Sequence, residues 1–79
     1  MAPKELRKSR TLRVNTASLV QFRKERGLTT TAFAREVGIQ QGSMSHIENG
    51  TREPSPPVAK RMAEVLKVPL GAILAEVAS

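Results

Sequence analysis

The chain of 79 residues has no cysteine, tryptophan, tyrosine or aspartate, one histidine and two phenylalanines. Without cysteine there is no disulfide framework and no thiolate metal site. A single histidine and a lack of aspartate argue against a protein-built metal centre and against a carboxylate dyad, so neither a metal nor a cofactor is expected. With aromatics at only 3%, the core has to be aliphatic and packed helix on helix. No apolar run approaches the roughly 20 residues of a membrane span, and the charged N-terminus lacks the apolar stretch of a signal peptide. The expectation is one small cytoplasmic domain with a modest core, no membrane partner and no small-molecule ligand.

What the chain does have is positive charge. The net charge is +6 and the isoelectric point about 10.9. Residues 1–14 hold Lys4, Arg7, Lys8, Arg10 and Arg13 against Glu5 alone, so most of the excess lies in a leading basic arm. Such arms commonly bind nucleic acid; the plainer reading is a solubilising tail. The arm has no clear apolar period and is expected to be flexible or partly ordered, although "TLRV" alternates weakly and could make a short edge strand.

Helical signals begin after it. Asn15 or Thr16 can cap a helix with Leu19, Phe22 and Val20 on one side, ended by Gly27. Thr29 is a cap for a second, in which Phe33, Ala34 and Val37 form the apolar stripe and Gly38 is the stop. Ile39 then sits in a tight connection to a third helix over about residues 40–48, with Met44 and Ile47 inward. Ser55 before Pro56 opens a fourth, whose Ala59, Met62, Ala63 and Leu66 fall at i, i+3, i+4 and i+7. After Pro69, "LGAILAEV" reads as a fifth short helix. The predicted fold is all-α, a compact five-helix bundle, with residues 1–14 as arm and 15–79 as domain.

One stretch is odd for so basic a chain. "GIQQGSMSHIENG" places Gln, Ser, His and Asn where a solvated helix face would normally carry Lys, Arg and Glu. In context, Phe22-Arg23, Gly27-Leu28-Thr29, Ala34, Gly38, Ile47-Glu48-Asn49-Gly50, Pro54-Ser55 and Ala63-Leu66-Val68 follow one another without a gap. This ordered set resembles the Cro/C1-type (XRE) helix-turn-helix family of phage and bacterial regulators, over about residues 19–74. The basic arm falls outside the resemblance.

The resemblance implies a lambda-repressor-like DNA-binding domain whose third helix enters the major groove. The groove presents both donors and acceptors, which short polar side chains can meet. With Met44 inward, Gly42, Ser45, His46 and Asn49 face away from the core, and Gln41 stands at the helix N-terminus. By resemblance Gln41, Gly42, Ser45 and His46 occupy base-contacting positions; Thr30, Gln40, Ser43, Asn49 and Arg52 match backbone-contacting ones. His46 has a second reading, as a surface histidine without direct contact. Arg23 and Glu48 match a partly buried ion pair. Gly42, Thr30, Ala32 and Gln40 depart from the family's usual residues, and the last two imply weaker caps for helices two and three.

The function expected is a sequence-specific transcriptional regulator, a repressor or Cro-like protein, located with the nucleoid of a bacterial or phage-infected host. One such domain reads few base pairs, so a homodimer on a pseudo-palindromic double-stranded operator is expected. Leu70, Ile73, Leu74 and Val77 are its candidate dimerisation residues. Arg7, Lys8, Arg10 and Arg13 either follow the minor groove or raise non-specific affinity. The rival reading is a protein-interaction module of the same fold, an antitoxin or bridging factor. No nucleophile–base pair or phosphate loop can be assembled, so enzyme activity is not expected.

Overall fold

Asn15 opens the first helix. Its backbone is extended and its Oδ1 accepts a hydrogen bond from the Ser18 N–H at 3.1 Å, satisfying one of the donors that a helix start leaves without an intrahelical partner. The computed structural model describes residues 12–75. Within them α1 runs Thr16–Glu25, α2 Thr30–Val37, α3 Gln41–Glu48 and α4 Pro56–Leu66, followed by a 3-10 turn at Leu70–Ile73. Thr29 caps α2, its Oγ1 accepting from the Ala32 N–H at 3.0 Å. Gln40 and Ser55 stand at the cap positions of α3 and α4 without a side-chain cap bond. So α2 keeps half of a capping box, and the first turn of α3 is left uncapped.

Each helix contributes a stripe to one core. Leu19 from α1, Phe33, Ala34 and Val37 from α2, Met44 and Ile47 from α3, and Met62, Ala63 and Leu66 from α4 are buried together with Ile73. Full burial of a large aliphatic or aromatic side chain stabilises by roughly 1.5–3 kcal/mol, so these few residues carry most of the domain. Phe22, Leu28, Ile39, Val58 and Val65 pack around them half-buried. Gly38 makes the turn between α2 and α3 at φ +95°, a region in which a Cβ is strained. Its N–H and that of Ile39 both return to the Ala34 carbonyl, at 2.8 and 3.0 Å. That closure tucks Ile39 against the core and sets α3 across α2.

Three expectations need correction. There is no fifth α-helix among the described residues. Pro69 supplies no N–H and Gly71 weakens the segment, and after one 3-10 turn Leu74 is already extended at φ −98°, ψ 145°. Leu74 instead forms an antiparallel bridge with Val14. The Asn15 N–H donates to the Ile73 carbonyl at 2.9 Å and the Ala75 N–H to the Arg13 carbonyl at 3.0 Å.

The arm boundary at residue 14 also moves. Leu12 donates its N–H to the Pro54 carbonyl at 2.9 Å and Val14 packs against the core, so 12–14 belong to the fold. Finally, Ile73 is 0% exposed and fills the chain's own core, so it cannot supply a dimer surface. Leu70 and Leu74 are half-buried. Val77 lies outside the described residues, as do Arg7, Lys8 and Arg10 of the arm.

Candidate nucleic-acid interface

The geometry of α2, turn and α3 leaves one face of α3 uncovered. Met44 and Ile47 point inward and are buried; Gln41, Gly42 and His46 are exposed and Ser45 is half-buried beside them. No side chain of that outer face carries a fixed charge. Nothing lies within 4 Å of where a Cβ on Gly42 would sit, so the glycine is not demanded by packing against the rest of the chain.

The one acid of α3 is neutralised internally. Glu48 Oε2 accepts from Arg23 Nε at 2.7 Å, with side-chain exposures of 10% and 12%. Arg23 Nη1 also donates to the Leu28 carbonyl at 2.8 Å, and Glu48 Oε1 accepts the Thr30 hydroxyl at 3.0 Å. One cluster thereby joins α1, the start of α2 and the end of α3. Charge-assisted bonds of this kind are shorter and stronger than neutral ones, and they fix how α3 is presented.

The Thr30 hydroxyl proton is donated to Glu48 Oε1. What Thr30 and Thr31 retain for an anion are first-turn N–H groups, which have no acceptor within a helix.

The loop after α3 folds back on the helix. The His46 carbonyl accepts the N–H of Thr51 at 2.9 Å and of Arg52 at 3.2 Å. Asn49 Oδ1 accepts the Thr51 N–H at 3.1 Å, an Asx turn helped by Gly50 at φ +84°. That commits the oxygen of Asn49 and leaves its Nδ2 hydrogens for an acceptor. Arg52 Nη1 donates to Ser43 Oγ at 3.2 Å, bringing the two together at the edge of the exposed face; the Ser43 hydroxyl proton is still to be placed. Gln40 is exposed at the mouth of the helix. Arg13, the described member of the arm set, is exposed and sits 4.0 Å from Glu53. Thr51 was missed by sequence reasoning; the Asn-Gly-Thr run that ends the polar stretch is the Asx-turn signal that could have found it.

Two short helices joined through a glycine turn, the second holding an exposed polar face, define a helix-turn-helix. The helix-turn-helix family model matches residues 19–73, and the chain belongs to that family, in its Cro/C1 (XRE) type. Among curated relatives it is 43% identical over 49 residues to the HTH-type transcriptional repressor RghR of Bacillus subtilis, covering 61% of this chain and 36% of that one. It is 41% identical over 58 residues to the HTH-type transcriptional regulator RghRB of the same organism, covering 72% and 42%. The chain thus spans well under half the length of these relatives. A solved structure of SinR, a master regulator for biofilm formation in complex with DNA, superposes with a TM-score of 0.67 at 26% identity, covering 71% of this chain and 90% of that one. Among the described residues no helix is long and apolar enough to cross a membrane.

Proposed function

We propose that the chain is a sequence-specific DNA-binding transcriptional regulator, a repressor or Cro-like protein, that reads a pseudo-palindromic operator through the major groove as a homodimer. The observation that carries the reading is the outer face of α3: Gln41, Gly42 and His46, exposed, with Ser45 half-buried beside them, all uncharged, on a helix pinned at its end by Arg23 and Glu48. Gln can bond an adenine edge bidentately, and Ser and His can each meet a donor or an acceptor. At the rim, Gln40, Ser43, Asn49 and Arg52 would take phosphate oxygens, together with the first-turn N–H groups of α2 at Thr30. These contacts fix register and orientation without carrying sequence information. The RghR repressor and the DNA-bound SinR are consistent with this reading.

For the homodimer, Leu70 and Leu74 are the half-exposed apolar candidates now that Ile73 is assigned to the core. Two such domains on DNA would stand about 34–36 Å apart, one helical turn. Arg7, Lys8 and Arg10, with Arg13 at the edge of the fold, would add phosphate or minor-groove contacts.

The test is selection of bound sequences from random duplexes by the intact chain and by a chain lacking residues 1–11. A palindromic motif shared by both is expected. Loss of flanking A·T positions on truncation would assign minor-groove reading to the arm. An absence of any enriched motif at moderate salt would overturn the regulator reading and favour a protein-interaction module of the same fold.

A further inference from the structure

We propose that Thr51, a residue with no role in the reading above, fixes the tautomer of His46. His46 Nε2 then becomes a hydrogen-bond acceptor that selects a base bearing an exocyclic amine. The selection half rests on the major-groove reading; the tautomer half stands on the loop geometry alone.

The geometry settles the protons one at a time. The Thr51 N–H can only donate, and it lies 3.1 Å from Asn49 Oδ1, so that atom is the carboxamide oxygen. Thr51 Oγ1 lies 2.7 Å from the same oxygen and 3.3 Å from the His46 carbonyl oxygen. Neither oxygen carries a hydrogen, and a hydroxyl proton turned toward His46 Nδ1 instead would leave two acceptor oxygens facing each other at 2.7 Å, so the single hydroxyl proton of Thr51 is directed at Asn49 Oδ1 or the His46 carbonyl. His46 Nδ1 is 2.9 Å from that hydroxyl oxygen. With the hydroxyl proton committed elsewhere, Nδ1 has to be the donor. A neutral imidazole carries one N–H, so Nε2 presents a lone pair.

That assignment decides what the ring can read. In the major groove adenine N6 and cytosine N4 are donors, while guanine O6 and thymine O4 are acceptors. An Nε2 lone pair bonds the first two and is repelled by the others. The base facing His46 is therefore A or C, and its complement G or T. A histidine free to exchange tautomers would accept either class. Thr51 is thus a positioning residue for specificity, acting through His46 without touching DNA.

Two measurements on the full chain test this. The first is the imidazole ¹⁵N spectrum of the free protein at pH 8, unambiguous because His46 is the only histidine. Nδ1 is expected to be the protonated nitrogen, and both Thr51→Val and Asn49→Ala should move the population toward Nε2–H. Thr51 and Asn49 lie in an exposed loop, and unchanged helical circular dichroism would show that the variants fold.

The second is sequence selection with wild type, His46→Ala and Thr51→Val. Wild type should prefer A or C over G or T on one strand at one position by about tenfold, in the range of one mismatched base pair. The preference should vanish in His46→Ala and largely flatten in Thr51→Val. Replacing that base, where it is adenine, by purine without the amine should cost a similar factor.

A protonated Nε2 in the free wild-type protein would overturn the proposal. So would an unchanged affinity when that exocyclic amine is removed, or no position responding to His46→Ala. If no motif emerges, the regulator reading fails and base selection by His46 fails with it, while the spectrum still decides the tautomer.

Discussion

Replacing Glu48 by alanine should destabilise the domain by about 2–3 kcal/mol. The carboxylate takes two bonds, one from the Arg23 guanidinium and one from the Thr30 hydroxyl. Both are bonds to a charged group, which contribute about 1.5–3 kcal/mol net each, and the low end applies to side chains that keep some solvent access. Some is returned: Glu48 is the last residue of α3, where a negative charge opposes the helix dipole by about 0.3–1 kcal/mol. Arg23 would be left nearly buried without its counter-charge, retaining only the Leu28 carbonyl, and the cost of an unpaired buried charge acts in the same direction. For a domain of this size the loss corresponds to a melting temperature lower by about 10–20 °C. Urea unfolding followed by helical circular dichroism would measure it, with the slope against denaturant unchanged if the fold is otherwise intact. In a double-mutant cycle with Arg23→Ala, the coupling should exceed about 1 kcal/mol. A Glu48→Ala effect within about 0.5 kcal/mol, the level of an exposed pair, would refute the view that this cluster holds α3 in place.

Three further outcomes are expected. Gly42→Ala should stabilise the free domain by about 1 kcal/mol, since the position is helical and its surroundings are open; in a gel-shift titration the same variant should bind DNA less tightly if the backbone approaches a base closely. Lys67 ends α4 in the left-handed region at φ 61°, so Lys67→Gly should raise stability by about 0.5–1 kcal/mol in the same urea assay. DNA affinity should fall steeply with salt, with a log–log slope near −9 if each subunit of a dimer neutralises about five phosphates. Removing residues 1–11 should make the slope shallower by about 0.9 for each phosphate that the arm neutralises.

The helices were legible where apolar spacing and punctuation agreed. Phe33, Ala34 and Val37 with Thr29 before and Gly38 after, or Ser55-Pro56 ahead of Ala59, Met62, Ala63 and Leu66, each state start, face and stop together. The segment after Pro69 misled because Leu70, Ile73 and Leu74 fit a helical period. Their backbone is decided by a partner sixty residues away in sequence, Val14, which competes for the extended form. For the same reason "TLRV" shows only a weak alternation: the partners of Leu12, Arg13 and Val14 are Pro54, Ala75 and Leu74, all remote in sequence. At the site, the positions on α3 followed from helical geometry once Met44 was inward. The hydrogen-bond assignments did not. That the Thr30 hydroxyl goes to Glu48 depends on how α2 and α3 cross, and that Thr51 meets His46 depends on a loop that doubles back over the last turn.

The bridge between Val14 and Leu74 makes the beginning and the end of the domain neighbours. A cut within one of the loops, with the two ends joined by a few residues, should therefore give a chain of new order and the same fold, as such permutations need termini that already meet. Mechanically, a pull applied to both ends loads that pair of short segments first, in the manner of a clasp, before any helix is strained. Anything attached ahead of Leu12 and anything attached after Ala75 would leave the domain side by side.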